Sequence, residues 1–319
     1  MTTPAPTPLS TPLPETPYRL QDAAREREAS AIDHLSRLHG ALGLHAAVLA
    51  LLLPGESRRA VRAWQAETTA TPNAAVLRAH IECLSSAARL PWLDVLLLRM
   101  RGQALASRQA LLESTRRVMA ARGVVRPLDR LHWLLMRLRL GEASGAAVHA
   151  AATADLSRLP PSDVLAVARY TAFLSRMVPV ESNGEAPAEG RDEARGAEVA
   201  VAAVAAEAAE VSPTADTPAG VAWYATVMAR WERHTPIPPC TPPDADGLVH
   251  ALQELQALAW MQRPVLARDW VTAALKHSPR GRLTDTAADA LRLSCALLDS
   301  PSPPELDRHF HAAIRAMPA

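Results

Sequence analysis

The chain has 319 residues, of which 49% are apolar and 21% charged, and its formal net charge is +1. The high apolar content excludes a wholly disordered chain. The near-zero net charge excludes a protein that finds its partners through a large overall charge. Aromatic residues make up only 4% of the chain and there are only 13 glycines, whereas alanine, leucine, arginine and glutamate abound. The composition argues against a β-sandwich or barrel and predicts an all-α fold.

The N-terminal residues and the cysteines set an expectation for the compartment. Residues 1–18 are rich in proline and threonine and lack the basic and apolar regions of a signal peptide, so we expect a disordered leader. The apolar run from Leu44 is too short for the roughly 20 residues of a membrane span. Cys83, Cys240 and Cys295 are far apart and odd in number, which fits a reducing cytoplasm. We therefore expect a cytoplasmic protein, with peripheral attachment at the inner membrane as an option.

Residues 19–179 read as an N-terminal helical domain. Amphipathic segments follow one another between helix start and stop signals. Gly40 and Gly123 stand where helices end, Asn73 stands at a helix N-cap, and Pro91 is expected at the first turn of a helix. The pattern predicts a bundle of helices joined by short turns.

Residues 180–218 differ in composition from what precedes and follows them. They are rich in Ala, Glu and Pro and contain nine acidic residues against two arginines, so we predict a flexible acidic linker. Residues 219–319 then return to helical patterns, with helix starts near Asp244 and Thr284. We expect two helical lobes joined by this linker.

A helix, a glycine turn and a second helix occur in both predicted lobes. The first unit reads RQALLESTRRVMAARGVVRPLDRLHWLLMRL around Gly123, and the second reads RPVLARDWVTAALKHSPRGRLTDTAADALRLSCALL around Gly281. An apolar residue lies two positions after each glycine, and a leucine-rich helix follows. The pattern indicates a duplicated helical hairpin, although amphipathic helices also converge on such patterns by chance.

These hairpins resemble TerB-like units, whose turn reads roughly A-D-G-x-[VIL]-x-x-x-E. Residues 20–178 and 220–306 also resemble the cytosolic C-terminal extension of some HtpX-like membrane zinc metallopeptidases, which ends in a segment similar to RGRLTDTAADALRLSCALLDSPSPPEL. The resemblance implies an all-α module that works beside a membrane protease. The chain departs from the TerB-like turn because Arg122 and Arg280 stand where its aspartate belongs.

The acidic residues after the second glycine turn are the weak candidates for a metal site. Asp285 and Asp289 are one helical turn apart and could share a helix face. A hard cation needs several converging oxygen ligands, however, and a nearby arginine repels it. We expect these carboxylates to form ion pairs in the first turn of a helix instead, where they also suit the helix dipole.

The sequence carries no motif of a catalytic site. It contains no HExxH, G-x-S-x-G, Walker A or G-x-G-x-x-G pattern, and His309 and His311 fall on different faces of a helix. Cys83 and Cys295 read as small core residues. We expect neither catalysis nor a cofactor.

The remaining candidate is an arginine-rich surface. Residues 89–140 carry eleven arginines against three acidic residues, and several of these arginines surround Gly123. Guanidinium groups pair with carboxylates and phosphates through two hydrogen bonds, so this cluster could dock an anionic partner. The candidate partner-binding residues are Arg116, Arg117, Arg122, Arg126 and Arg130. The chain's own linker, an anionic membrane surface and nucleic acid would each suit it; the last is the weakest option because stacking aromatics and lysines are scarce.

The leading hypothesis from the sequence is a non-catalytic interaction or regulatory module. It would dock on a protein partner, such as a membrane protease or another inner-membrane protein, through helix faces and the arginine cluster. The alternative is a TerB-like metal-responsive protein that binds a cation at Asp285 and Asp289. An electrostatic nucleic-acid binder comes third.

Overall fold

A computed structural model describes residues 17–53, 57–141, 159–178, 217–232 and 235–315. These ranges contain thirteen α-helices and no β-strand, so the predicted all-α fold is confirmed. Most of the predicted leader and linker, residues 1–16 and 180–216, lie outside the described residues. The predicted boundaries shift slightly, because residues 17 and 18 belong to the first helix and residues 217 and 218 to the start of a later one.

The helices before the linker are α1 (Pro17–Ser36), α2 (Ala41–Leu51), α3 (Arg58–Glu67), α4 (Ala74–Glu82), α5 (Ser86–Arg101), α6 (Leu105–Ala120), α7 (Pro127–Leu140) and α8 (Pro161–Leu174). Those after it are α9 (Pro218–Met228), α10 (Ala245–Ala257), α11 (Gln262–His277), α12 (Asp285–Leu297) and α13 (Pro304–Arg315). A short 3₁₀ turn, Pro279–Gly281, joins α11 to α12.

Local capping chemistry explains where several helices begin. The Asp244 carboxylate accepts a hydrogen bond from the Gly247 N–H at the start of α10, and the Thr284 hydroxyl accepts one from the Ala287 N–H at the start of α12. Both helix starts were predicted. Asn73 does precede α4, but it adopts a left-handed conformation and its side chain forms no capping bond.

The prediction that Pro91 opens a helix is wrong. Helix α5 begins five residues earlier, at Ser86, and Pro91 lies inside it, buried against the core. Proline is common in the first turn of helices, so its presence was read as a start signal. In this chain the break between α4 and α5 falls at residues 83–85 instead.

Both predicted hairpins are present as helix, glycine turn and helix. Gly123 joins α6 to α7 with a φ of 87°, and Gly281 precedes α12 with a φ of 64°, conformations that glycine adopts without a Cβ clash. The helices of each hairpin contact one another, and the second helices of the two hairpins, α7 and α12, pack together. A relationship of these hairpins to TerB-like units stays a prediction.

The helices before and after the linker share one hydrophobic core. Helix α8 packs against α9 and α10, α12 packs against α7 and α5, and α13 packs against α5. The buried apolar residues form a single cluster that runs from Ala31 to Ala313. The division into two lobes stays a prediction, and the structure adds that their helices are in extensive contact.

Two buried polar links join the parts of the chain on either side of the linker. The Trp270 Nε1–H donates to the Thr171 hydroxyl at 3.0 Å, and the Tyr170 hydroxyl donates to Ser294 Oγ at 3.1 Å. The rings of Tyr170 and Trp270 also stack, with their centroids 5.5 Å apart. These contacts fix the positions of α8, α11 and α12 relative to one another.

None of the helices in the described ranges is both long enough and apolar enough to span a bilayer.

Candidate functional site

The turn at Gly123 is held from beneath by the Asp129 carboxylate. Asp129 Oδ1 lies 2.8 Å from Nη1 of Arg122, and Asp129 Oδ2 accepts a hydrogen bond of 3.0 Å from the Arg126 backbone N–H. The side chains of Arg122 and Asp129 are only 7% and 9% exposed. One carboxylate therefore ties both ends of the turn to the first turn of α7.

The burial of Arg122 corrects its predicted place in a docking surface. Its guanidinium points inward to Asp129, so it cannot meet a partner on the outside of the molecule. The sequence placed Arg122 beside other arginines, but it could not show that the turn folds back over Asp129. Asp129 compensates the buried charge of Arg122, since a charge left unpaired in the core is strongly destabilising.

Arg117 is also engaged within the chain. It donates two hydrogen bonds to Glu67 at the end of α3, from Nε at 2.6 Å and from Nη2 at 2.7 Å. The Ser114 hydroxyl donates a third to the same carboxylate at 2.6 Å. The hydrogen bond from Arg117 is the main reason why the pKa of Glu67 falls to about 2. This group ties α3 to α6 and leaves Arg117 with little capacity for a partner.

Four of the five predicted arginines lie at the surface, and Arg117 differs from the other three because it is paired with Glu67. Arg126 is exposed and Arg130 is partly exposed. Arg116 has a side chain that is 64% exposed; it lies 3.5 Å from Glu113 and 6.0 Å from the centre of the Trp133 ring. Of the five predicted arginines, Arg122 is buried and Arg117 is exposed but paired with Glu67. The role of the other three in partner binding stays a prediction.

Two valines in the glycine turn extend this surface. Val124 and Val125 are 42% and 47% exposed and stand directly before Arg126. Exposed apolar side chains are common singly, but here they are adjacent and lie on a turn that is pinned by the ion pair beneath it. We call Val124, Val125, Arg126, Arg130 and Arg116 the turn surface.

The two weak metal candidates, Asp285 and Asp289, lie in different surroundings. Asp285 is exposed, and its Oδ1 lies 3.2 Å from Nε2 of His309 on α13. Asp289 is partly buried farther along α12. In the parts of the chain that the structure describes, no three metal-binding side chains converge.

Asp289 instead faces a cavity that also contains the ion pair beneath the turn. The cavity measures about 170 Å³ and lies between the end of α2, α5, the glycine turn, α7 and α12. Its lining residues are Leu51, Leu52, Leu53, Arg89, Leu90, Leu93, Arg122, Arg126, Leu128, Asp129, His132 and Asp289. Residues from both sides of the linker therefore meet in one space.

The environment of the cavity changes the pKa values of Asp289 and His132. Burial, followed by the nearby Asp285 charge, raises the pKa of Asp289 to about 7, against the opposing effect of Arg292 and Arg89. Burial lowers the pKa of His132 to about 4, so this ring is neutral near pH 7.

A second, larger cavity lies between α1 and α4. It measures about 480 Å³ and is lined by histidines and by Asp33 and Arg37, which pair with each other at 2.7 Å. The rings of His34 and His80 stack with their centroids 4.5 Å apart. Burial, and then the neighbouring His80, lower the pKa of His34. These contacts join α1 to α4.

The tryptophans show where the sequence missed an exposed group. Trp223 and Trp231 are buried, with 0% and 1% exposure. Trp260, between α10 and α11, is 68% exposed and stands next to the exposed Met261. No sequence signal separates Trp260 from the buried tryptophans, because it too occurs in an apolar run.

Comparison with protein-family models, with characterised proteins and with solved structures finds no match to this chain. The resemblance to the extension of HtpX-like metallopeptidases and to TerB-like units therefore stays a prediction. The expectations of a non-catalytic role and of a protein partner likewise stay predictions.

Proposed function

We propose that this chain is a non-catalytic interaction module that docks on a protein partner through the turn surface. The main observation behind the proposal is that Val124 and Val125 are exposed and directly precede Arg126 on the turn at Gly123, which the Arg122–Asp129 ion pair fixes in place. A surface of this kind offers apolar area and positive charge together. The fitting partner is a protein segment that combines acidic and apolar side chains.

The pinned turn supports docking because it reduces the entropy cost of binding. The Arg122–Asp129 ion pair and the bond from the Arg126 N–H hold the turn in one shape before a partner arrives. A preorganised surface loses less conformational freedom on association than a mobile loop does. The resemblance to a metallopeptidase extension suggests a membrane protease or another inner-membrane protein as the partner, and a cytoplasmic location at the membrane surface.

Two substitutions of the same kind test the proposal. Val125→Asp places a negative charge in the turn surface, whereas Val76→Asp makes the same change on α4 at a residue that is 52% exposed. A partner is first captured with the tagged wild-type chain from gently solubilised cells, and it is then purified. Its affinity for each variant is measured by calorimetry.

We expect Val125→Asp to weaken binding by roughly tenfold or more and Val76→Asp to leave it within about twofold. Binding should also weaken as salt is raised, because the arginines contribute through charge. Equal affinities for the two variants would remove the turn surface from the interface.

The described residues offer no observation that favours the alternative of a metal-responsive protein over this proposal. Asp285 lies beside His309 without a third metal-binding side chain among the described residues, and Asp289 faces a cavity whose other charged side chains include three arginines. Such a lining repels a divalent cation.

A further inference from the structure

The cavity beside Asp289 has an excess of positive charge that the chain itself does not neutralise. Three arginines and two aspartates line it, and one of the arginines, Arg122, is committed to Asp129. Arg89 on α5 and Arg126 on the turn form no direct ion pair or side-chain hydrogen bond with another described residue. Two guanidinium groups are therefore available to an anion that enters the cavity.

The remainder of the wall is apolar. Leucines from the end of α2, from α5 and from the start of α7 line the cavity: Leu51, Leu52, Leu53, Leu90, Leu93 and Leu128. A bare inorganic ion would make no use of these side chains. A ligand with a charged head and a hydrocarbon body would contact both kinds of lining.

The size of the cavity limits the ligand. About 170 Å³ is far above the roughly 10–15 Å³ that a single water needs, and well below the roughly 300 Å³ at which pockets for drug-sized ligands begin. The exposed Arg126 marks the side on which the cavity meets solvent. A ligand of a few carbon atoms fits this space.

We infer that this cavity is a binding site for a small organic acid, whose carboxylate pairs with Arg89 and Arg126 while its hydrocarbon body lies against the leucines. The inference is independent of the docking function proposed above. Arg126 belongs to both surfaces, but ligand binding is measured on the purified chain without any protein partner.

Asp289 makes the affinity depend on pH. Its carboxyl is protonated below a pKa of about 7, where it can donate a hydrogen bond to the ligand, and above that pH its charge repels the ligand. The charged and titratable groups around it are Asp285 and Arg292 on α12, Arg89 on α5, Arg122, Arg126, Asp129 and His132 on the turn and α7, and His309 on α13 beside Asp285. A simple carboxylic acid stays ionised from about pH 6 to 8, so a change in affinity over this range comes from the protein, and Asp289→Asn isolates the part due to Asp289.

The test uses the full chain, isovalerate as the probe and isovaleramide as its neutral counterpart. Calorimetry at about pH 6 should give saturable binding of isovalerate with a dissociation constant on the order of 1 mM, and no binding of the amide. Arg126→Gln and Arg89→Gln should each weaken binding by roughly tenfold or more. Arg137→Gln changes an exposed arginine of α7 outside the cavity and should leave the affinity within about twofold.

Raising the pH from about 6 to 8 should weaken binding by wild type, and Asp289→Asn should bind equally at both values. Arg126 is exposed, so its variant keeps the test informative if Arg89→Gln fails to fold. Absence of saturable isovalerate binding, equal binding of the amide, or unchanged affinity in Arg126→Gln would each overturn the inference.

Discussion

Arg122 and Asp129 form a buried ion pair across the turn that joins α6 to α7, with Arg122 Nη1 and Asp129 Oδ1 2.8 Å apart. The same pair holds the turn surface from beneath and forms part of the wall of the cavity beside Asp289. The proposed protein interface and the proposed ligand site are thus built on one structural element. Its integrity can be tested directly.

Asp129→Ala should lower the free energy of unfolding by about 3–5 kcal/mol, because it leaves the Arg122 guanidinium buried without a partner. Urea unfolding followed by circular dichroism measures the loss. Glu113→Ala removes an exposed ion pair with Arg116 and should cost less than about 1 kcal/mol. A loss in Asp129→Ala as small as that of the control would show that the pair is not a structural support.

The Glu67 carboxylate should make stability depend on pH in the acid range. Its pKa is lowered from 4.5 to about 2, chiefly by the hydrogen bond from Arg117, so the ionised form is favoured in the folded chain. The stability it contributes is present above its unfolded pKa and is lost as the pH falls toward about 2.

Urea unfolding of wild type and Glu67→Gln at several pH values measures this effect. The difference in the free energy of unfolding should be constant above about pH 5 and should shrink between about pH 4.5 and 2. A difference that does not change with pH would contradict the assignment.

Arg263 should be essential for holding the C-terminal end of α10 to that of α12. Its side chain is buried, and its guanidinium donates hydrogen bonds to the carbonyl oxygens of Leu258 and Gln256 at the end of α10 and of Leu298 at the end of α12. Arg263→Met should cost about 3 kcal/mol, because these buried carbonyls lose their donor. Thermal and urea unfolding measure the cost.

Arg268, an exposed arginine of the same helix α11, supplies the control. Arg268→Met should change the free energy of unfolding by no more than about 0.5 kcal/mol. Similar losses in both variants would mean that the hydrogen bonds of Arg263 contribute little.

The two fragments produced by a single cut in the predicted linker should remain associated without a covalent link. Helix α8 packs against α9 and α10, and Trp270 on α11 donates to Thr171 on α8, so the two fragments bury apolar surface against each other. A protease site inserted near residue 200 and cleaved to completion allows the test. The fragments should elute together in gel filtration and separate only in denaturant. Separation in native buffer would favour two independent lobes.

Much of the local structure follows from short sequence signals. Gly123 and Gly281 were predicted to form turns, and both adopt the positive φ that favours glycine. Asp244 and Thr284 were predicted to start helices, and both cap the following turn. Pro91 misled the prediction because a proline in the first turns of a helix marks its start only to within a few residues.

The candidate site was harder to predict because burial is a property of the folded chain. The sequence shows five arginines around Gly123 but does not distinguish Arg122, which is buried, from Arg126, which is exposed. It gives no reason to connect Arg89 with Asp289, which lie on opposite sides of the linker. The tryptophans pose the same problem, since Trp260 and Trp270 occur in similar apolar surroundings along the chain, yet only Trp270 is buried.

The sequence by itself determined the helical class, the turns at the glycines and several helix starts, because these depend on interactions within a few residues. Tertiary structure decided which charges are buried, which carboxylate each arginine meets, and how Asp289 comes to share a cavity with the glycine turn. These outcomes depend on the packing of α7 against α12 and of α2 against α5. Contacts between residues far apart in sequence leave no periodic trace in the chain, so only the folded structure reveals them.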